Sequence, residues 1–286
     1  MKLWKNAVIS VISASMLTQT ISAVSVTDMN NDGITDIFDS IYIQNEIVMQ
    51  KNDMTAEFIN IKREILGLET ADIPEEYPID ESAILEPKGT VHTGDGTFYG
   101  GGYVGGCAML DPVDKDRYWI VAMNIFDYNN AQLAGAYIEV TGVRGTINML
   151  VTDLLPEGKK GDLDLYVDAF PLIADPVDGR VPVSWKIVPL DTDEPVSYRF
   201  KEGSTEFWCG VQVRNHKYPI AKLAYLNDEG EWVELPRRNY NYFESMEMGA
   251  GPFTFKITDI YGDVIVDKDI PMILDEDIPG SVQFPE

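Results

Sequence analysis

Apolar and polar positions follow two different rhythms along this chain. Apolar residues recur at Ile41, Ile47 and Val48, and again at Phe58, Ile61, Ile65 and Leu68, at the spacing of amphipathic helices. From Ala71 to about Gly89 that pattern lapses into Pro, Glu and Asp, as in Ile73-Pro74-Glu75-Glu76-Tyr77-Pro78, which predicts an extended spacer. Beyond His92 short apolar runs alternate with glycine turns: Gly94 to Tyr103, Trp119 to Met123, Ala136 to Thr141 and Thr146 to Thr152. Only Val167 to Ile173 shows a helical period there. Further strand-like runs follow at Ser197–Phe200, Phe207–Arg214, Ile220–Leu226, Trp232–Leu235, Tyr240–Glu244, Phe253–Thr258 and Val264–Val266. The fold class is therefore mainly β behind a small α-helical N-terminal module. A compact β domain, barrel or sandwich, is expected over 91–190 and a small β-sandwich over 191–286.

Composition narrows the partners. The 286 residues suffice for two or three domains with real cores. Net charge is −25, with only His92 and His216 as histidines. Such an acidic surface repels nucleic acid and anionic wall polymers, but not a neutral glucan. Met1-Lys2-Leu3-Trp4-Lys5, the apolar run Ala7 to Leu17 and Ile21-Ser22-Ala23 read as a secretory leader over 1–23, so export is expected. The apolar run is too short for a membrane anchor. Cys107 and Cys209 lie far apart; two buried thiols are expected, with a disulfide between them the open alternative in an exported protein, since sequence alone does not assign pairing.

Asp28-Met29-Asn30-Asn31-Asp32-Gly33-Ile34-Thr35-Asp36-Ile37-Phe38-Asp39 has the spacing of a calcium loop. Asp28, Asn30, Asp32, Asp36 and Asp39 supply side-chain oxygens, Ile34 its carbonyl, and Gly33 the sharp turn. With the helix that closes through Lys62-Arg63 and Ile65-Leu66-Gly67, residues 24–70 resemble a dockerin. The resemblance implies Ca2+ as cofactor and a cohesin module as partner, contacted by Ile37 and Phe38. Dockerins normally duplicate the loop; here only Asp53 stands where the second would be. Residues 71–90 then form the acidic linker.

Four acids crowd Thr152-Asp153-Leu154-Leu155-Pro156-Glu157-Gly158-Lys159-Lys160-Gly161-Asp162-Leu163-Asp164-Leu165, as glycoside hydrolysis would need. Glu157 and Asp162 read as solvated turn residues. Asp153 and Asp164 flank the turn among apolar neighbours and are better candidates for a groove floor. The glycine cluster at 94–102 is no phosphate cradle, because no helix start with Lys or Ser/Thr follows it.

Ala134 to Gly142, the Thr152–Leu165 stretch, Pro182-Val183-Ser184-Trp185-Lys186, Tyr198 to Gly203, Val211 to Tyr218 and the ending Pro279 to Glu286 together resemble a bacterial expansin from about Thr93 onward. That resemblance implies a six-stranded double-psi β-barrel packed on an immunoglobulin-like, cellulose-binding β-sandwich. It also implies wall loosening without hydrolysis. Asp164 matches the acid of related endoglucanases, whose base expansins lack, and Thr97 and Asp153 match groove residues used for activity. Leu155 replaces a usual Tyr, which removes a hydrogen-bond donor.

In the sandwich, Phe207, Trp208 and Tyr240 match the family's platform for stacking on sugar faces, and Lys201 would reach a hydroxyl. Phe207 stands where the family commonly has Trp. Strict alternation would place Phe207 with Cys209 and Val211 on the core face, unless a bulge exposes both aromatics. His216 reads as structural, and Tyr225 and Trp232 as core or ordinary surface. The Pro189–Val196 connection is short, so the modules should pack tightly on one surface.

The sequence thus predicts a secreted, monomeric, expansin-like protein that binds cellulose and loosens plant cell-wall networks without hydrolysis, attached to a cellulosome. Two alternatives stay open: a β-1,4-endoglucanase using Asp164 as acid, and a pure cellulose-binding adhesion module.

Overall fold

The computed structural model describes residues 77–102, 106–110 and 118–285. The chain divides into two compact units, Met1–Glu69 and Thr70–Glu286, and the described residues belong to the second. The leader, the calcium ligands Asp28, Asn30, Asp32, Ile34, Asp36 and Asp39, and the cohesin-contacting Ile37 and Phe38 lie outside the described residues.

Six strands close into a barrel: β1 (His92–Tyr99), β2 (Trp119–Asn124), β3 (Tyr137–Thr141), β4 (Thr146–Leu155), β5 (Leu163–Tyr166) and β6 (Val181–Ile187). Their order around the barrel is β1-β5-β2-β4-β3-β6. β1 runs parallel to β5, and β2 parallel to β4, while the other four pairings are antiparallel. This crossed pairing matches a double-psi arrangement. Closure removes the exposed edges that an open sheet would have to protect. Val121, Met123, Leu163, Leu165, Val183 and Trp185 point inward and are buried together. Of the helical stretch expected at 167–173, only one turn forms, α2 (Phe170–Ile173), after α1 (Ile125–Tyr128).

The turn between β4 and β5 is clamped onto β1. A Cβ on Gly94 would stand 2.3 Å from the Gly161 carbonyl carbon, and Gly161 itself has φ +88. Trp185 Nε1 donates to the Gly161 carbonyl at 2.9 Å, and the Gly161 N–H donates to Asp127 Oδ2 at 2.6 Å. Asp162, expected to be solvated, is buried instead: its carboxylate accepts the N–H groups of Asp95 and Lys159. Its negative charge is held in part by a backbone donor that lies far away in sequence, so local composition could not reveal it. Gly94→Ala is expected to destabilise the protein by about 3 kcal/mol, because the new methyl meets backbone that cannot move aside. Chemical denaturation of the variant checks this.

The remaining strands form two four-stranded antiparallel sheets, of order β10-β9-β12-β13 and β11-β8-β7-β14. They comprise β7 (Ser197–Phe200), β8 (Trp208–Arg214), β9 (Ile220–Leu226), β10 (Trp232–Glu234), β11 (Phe243–Met246), β12 (Phe253–Asp259), β13 (Val264–Ile270) and β14 (Asp277–Pro279). Tyr198, Phe200, Val211, Phe243, Phe253 and Phe255 from both sheets share one core. Cys209 lies in this core and Cys107 beside the barrel; both are free thiols, pushed up by burial to about 12 and about 11.

Residues 77–90 depart from the expected extended spacer. Asp80 N–H donates to the Gly262 carbonyl, Leu85 N–H to the Ile260 carbonyl, and Lys222 Nζ reaches Asp80 at 2.8 Å. Tyr77 stands edge-on to Trp232, with Lys256 over both rings. The segment turns at Glu81–Ala83 and again at Pro87–Thr90, and its polar groups find partners on the sheets.

Barrel and sheets meet across a polar seam. Arg237 donates to the carbonyls of Ala131 and Ile220 and lies over the Phe243 ring. His216 is buried there against Gly135, its Nδ1 without a hydrogen-bond partner among the described residues. Burial, reinforced by the Arg237 charge, pushes its imidazole down to about 4. A depressed histidine contributes stability that is complete above its unfolded value near 6.5 and is lost as pH falls through 4. Asp259, buried and accepting from Tyr261 and Asp263, is pushed up to about 6 by burial. Its contribution has the opposite sign, present at low pH and lost as pH rises through 6. Between pH 7 and pH 4 the wild type should lose about 3 kcal/mol more than His216→Gln, since the Asp259 contribution cancels in the comparison. Denaturation of both proteins at the two pH values measures this, and equal losses would disprove it.

Candidate functional site

Thr97, Asp164, Ala122 and Asp153 stand side by side on four adjacent barrel strands. Thr97 pairs with Asp164 across β1 and β5, Asp164 with Ala122 across β5 and β2, and Ala122 with Asp153 across β2 and β4. The last pairing depends on a register shift, in which the β4 ladder passes from Val151 directly to Asp153. Thr152 is the extra residue, and the bulge turns Asp153 onto the outer face. Leu163 and Leu165 point into the core, so Asp164 between them must point out. Ala122, buried and bearing one methyl, lies between the two acids, whose Cα atoms are about 10 Å apart at two strand spacings.

The two carboxylates do different things. Thr97 Oγ1 donates to Asp164 Oδ1 at 2.5 Å. Burial raises the Asp164 carboxyl above the ordinary aspartate range; Glu157 adds to the rise, while the Thr97 hydrogen bond and Arg180 oppose it. Asp164 is therefore a half-buried acid with one oxygen committed to Thr97. Asp153 instead accepts the N–H groups of Cys107 and Leu154 on the same oxygen, each at 2.9 Å. It anchors the short 3-10 turn Gly106–Ala108 to the groove. Gly106, at φ +50, fits against it only for want of a Cβ, which would stand 2.5 Å from the Asp153 carboxyl carbon.

That anchored turn leads to the aromatic strip. Along β8, Cys209, Val211 and Val213 face the core, so Trp208, Gly210, Gln212 and Arg214 share the outer face. Gln212 Nε2 donates to the carbonyls of Ala108 at 2.9 Å and Asn241 at 3.2 Å. Arg214 donates to the Met109 carbonyl. On the barrel side Cys107 Sγ donates to Tyr128 Oη, which donates in turn to the Asn239 carbonyl. The carbonyls on either side of Tyr240 are thus both held by groups that also hold the groove turn. Groove and strip form one braced surface.

Phe207 and Trp208 both face outward without a bulge. Phe207 is 66% exposed because it sits in a turn before β8, where strand alternation does not apply. Thr205 Oγ1 accepts the N–H of Phe207 and of Trp208 and closes that turn. The Trp208 indole lies over Gly210: its Cη2, Lys201 Cβ and Tyr242 Cδ1 all come within 3.6 Å of where a Gly210 Cβ would be. Lys201 Nζ stands 5.9 Å from the Tyr242 ring centre. Tyr240 is half-buried, and its hydroxyl donates to Glu244, whose other oxygen takes Arg238 Nε at 2.7 Å. Glu244 thereby fixes the Tyr240 ring.

Sequence reasoning missed Gln212, Glu244, Tyr99 and Tyr166. Tyr99 pairs with Tyr166 two residues along from Thr97 and Asp164, with ring centres 6.2 Å apart. The period-2 pattern after Thr97 could have pointed to this pair. Nothing local marks Gln212 or Glu244.

No family model matches the chain. It is 41% identical over 206 residues to Expansin-YoaJ of Bacillus subtilis (strain 168), covering 68% of this chain and 88% of that protein. It is 26% identical over 201 residues to Expansin-like protein 6 of Dictyostelium discoideum, covering 65% and 68%. Among solved structures it is similar to the apo Clavibacter michiganensis expansin, with TM-score 0.63, 30% identity and coverage of 69% of this chain and 99% of that one. A mutant of the same expansin, solved in complex with cellohexaose, matches with TM-score 0.63 and 29% identity, over the same shares.

Proposed function

This chain belongs to the expansin family, and we propose that it grips cellulose with the Phe207–Trp208–Tyr240 strip and loosens it with the Asp164 groove. Family membership implies an extracellular, non-hydrolytic role, which supports reading the protein as a wall-loosening expansin and not as a glycoside hydrolase. Among the described residues no helix is long and apolar enough to cross a membrane. The single observation that carries the reading is the bracing of strip and groove by Gln212, which bonds the carbonyls of both Ala108 and Asn241. A solved relative in complex with cellohexaose supports a β-1,4-glucan as ligand.

The outer aromatic faces shed water when stacked on the C–H faces of glucose rings, which supplies affinity without demanding one register. Lys201, on the neighbouring strand side of Trp208, is placed to donate to a sugar hydroxyl. A chain held on the strip would continue over the 106–108 turn into the groove. There the Asp164 oxygen not bonded to Thr97 accepts a hydroxyl, Asp153 keeps the floor in place, and the chain is drawn from its neighbours. Leu155 supplies no hydroxyl to this groove, so the sugar contacts fall to Thr97 and Asp164. We take the double-sheet module to be the immunoglobulin-like sandwich of the family and the protein to act as a monomer.

The spacing of Asp28, Asn30, Asp32, Ile34, Asp36 and Asp39 supports a calcium-dependent dockerin-like module that attaches the secreted protein to a cohesin through Ile37 and Phe38. Chelator-sensitive capture by a cohesin module tests this part.

The reading as a whole is tested by filter-paper weakening with reducing sugar assayed in the same tube. Weakening without sugar release is expected. Binding without weakening would reduce the protein to an adhesion module.

A further inference from the structure

Met246 is 71% exposed, on a strand whose other apolar residue, Phe243, is buried. It pairs directly with Trp208 across β11 and β8, so the two side chains rise from the same outer face. The segment after it is fixed to the strip: Glu247 N–H donates to the Phe207 carbonyl at 3.0 Å, and Gly249 N–H to the Glu206 carbonyl at 3.1 Å. Phe207, Trp208 and Met246 therefore form one exposed apolar cluster held by backbone bonds. β11 is an edge strand, with β7 on the far side of β8. Met246 lies one strand to one side of Trp208, and Lys201 lies to the other.

Trp208 lies over Gly210, where its indole can cover one pyranose ring. An apolar group one strand over falls beside that ring, where a single glucan chain ends and a neighbouring chain of a packed polymer begins. We infer that Met246 is a further sugar contact that touches the adjacent chain and biases the strip toward packed cellulose over a single soluble chain. A thioether suits this position: it is apolar and polarisable, and its unbranched chain adapts to a surface whose register varies. This inference rests on the platform reading of Trp208.

The full chain with Met246→Gln or Met246→Leu is compared with wild type and Trp208→Ala, by depletion onto microcrystalline cellulose and by calorimetry with cellohexaose. Met246→Gln is expected to weaken binding to the crystalline polymer about threefold, with cellohexaose binding unchanged and Met246→Leu like wild type. No loss on the crystalline polymer, or an equal loss on both ligands, overturns the inference while leaving the platform reading intact. If Trp208→Ala binds both ligands as wild type does, the platform reading falls and this inference falls with it.

Discussion

Replacing Asp164 by Asn is expected to cut wall-weakening activity by about tenfold or more while cellulose binding stays within about twofold of wild type. The substitution keeps volume and shape. Asn can still accept from Thr97 with its amide oxygen, as Oδ1 does now at 2.5 Å. The other oxygen becomes an N–H2 group, a donor where an acceptor stood. A hydrogen bond to a charged acceptor contributes about 1.5–3 kcal/mol, which converts to a tenfold effect or more when it acts on the loosening step. Binding should persist because Phe207, Trp208 and Lys201 belong to the strip and not to the groove floor. The same logic sets the direction with pH. Burial raises this carboxyl, so acidification neutralises it earlier than an ordinary aspartate. Wild-type weakening should then fall in mild acid, and the variant should show no such fall. Paper-strength assays across pH, alongside depletion binding, measure both. Full activity in the variant would show that loosening does not run through this groove.

Trp208→Ala is expected to weaken cellulose binding by about ten- to a hundredfold with little change in stability. Stacking covers one face of the indole, about half of full burial, and so contributes about 0.8–1.5 kcal/mol, while stacking geometry adds about 0.5–1.5 kcal/mol. Stability is spared because the indole lies on the outer face, over Gly210, while the core of the same strand is built by Cys209, Val211 and Val213. Phe207→Ala should cost less, for want of ring area and an indole donor. Paired measurements of binding and denaturation separate the two effects. A Trp208→Ala protein that binds normally would move the platform elsewhere.

The candidate site was legible in part. Asp164 and Asp153 stood out as acids among apolar residues flanking a turn, and Phe207-Trp208 as adjacent aromatics. What the pattern got wrong has a common cause. Asp162 looked solvated because its donors, Asp95 and Lys159, come from β1 and from its own turn, and only closure of the barrel brings β1 there. Phe207 was read as a stacking residue, but strict alternation pointed it at the core, because period 2 was extended one residue too far, into a turn closed by Thr205. Residues 77–90 looked like a free spacer because composition reports chain stiffness and charge, not which carbonyls lie opposite.

The sequence by itself determined the class of the fold and marked the candidate site: a mainly β chain punctuated by glycine turns, an acid among apolar neighbours at Asp164, and adjacent aromatics at Phe207 and Trp208. Those features depend on side-chain type and local period, which a sequence carries outright. Only the tertiary structure decided what each acid does and how the two surfaces join. Strand register set Thr97 beside Asp164 and, through one bulge, turned Asp153 toward backbone donors. The Gln212 amide joined Ala108 to Asn241 across segments far apart in the chain. Such pairings are fixed by closure and by burial of polar groups that must find partners, and those are properties of the whole chain at once.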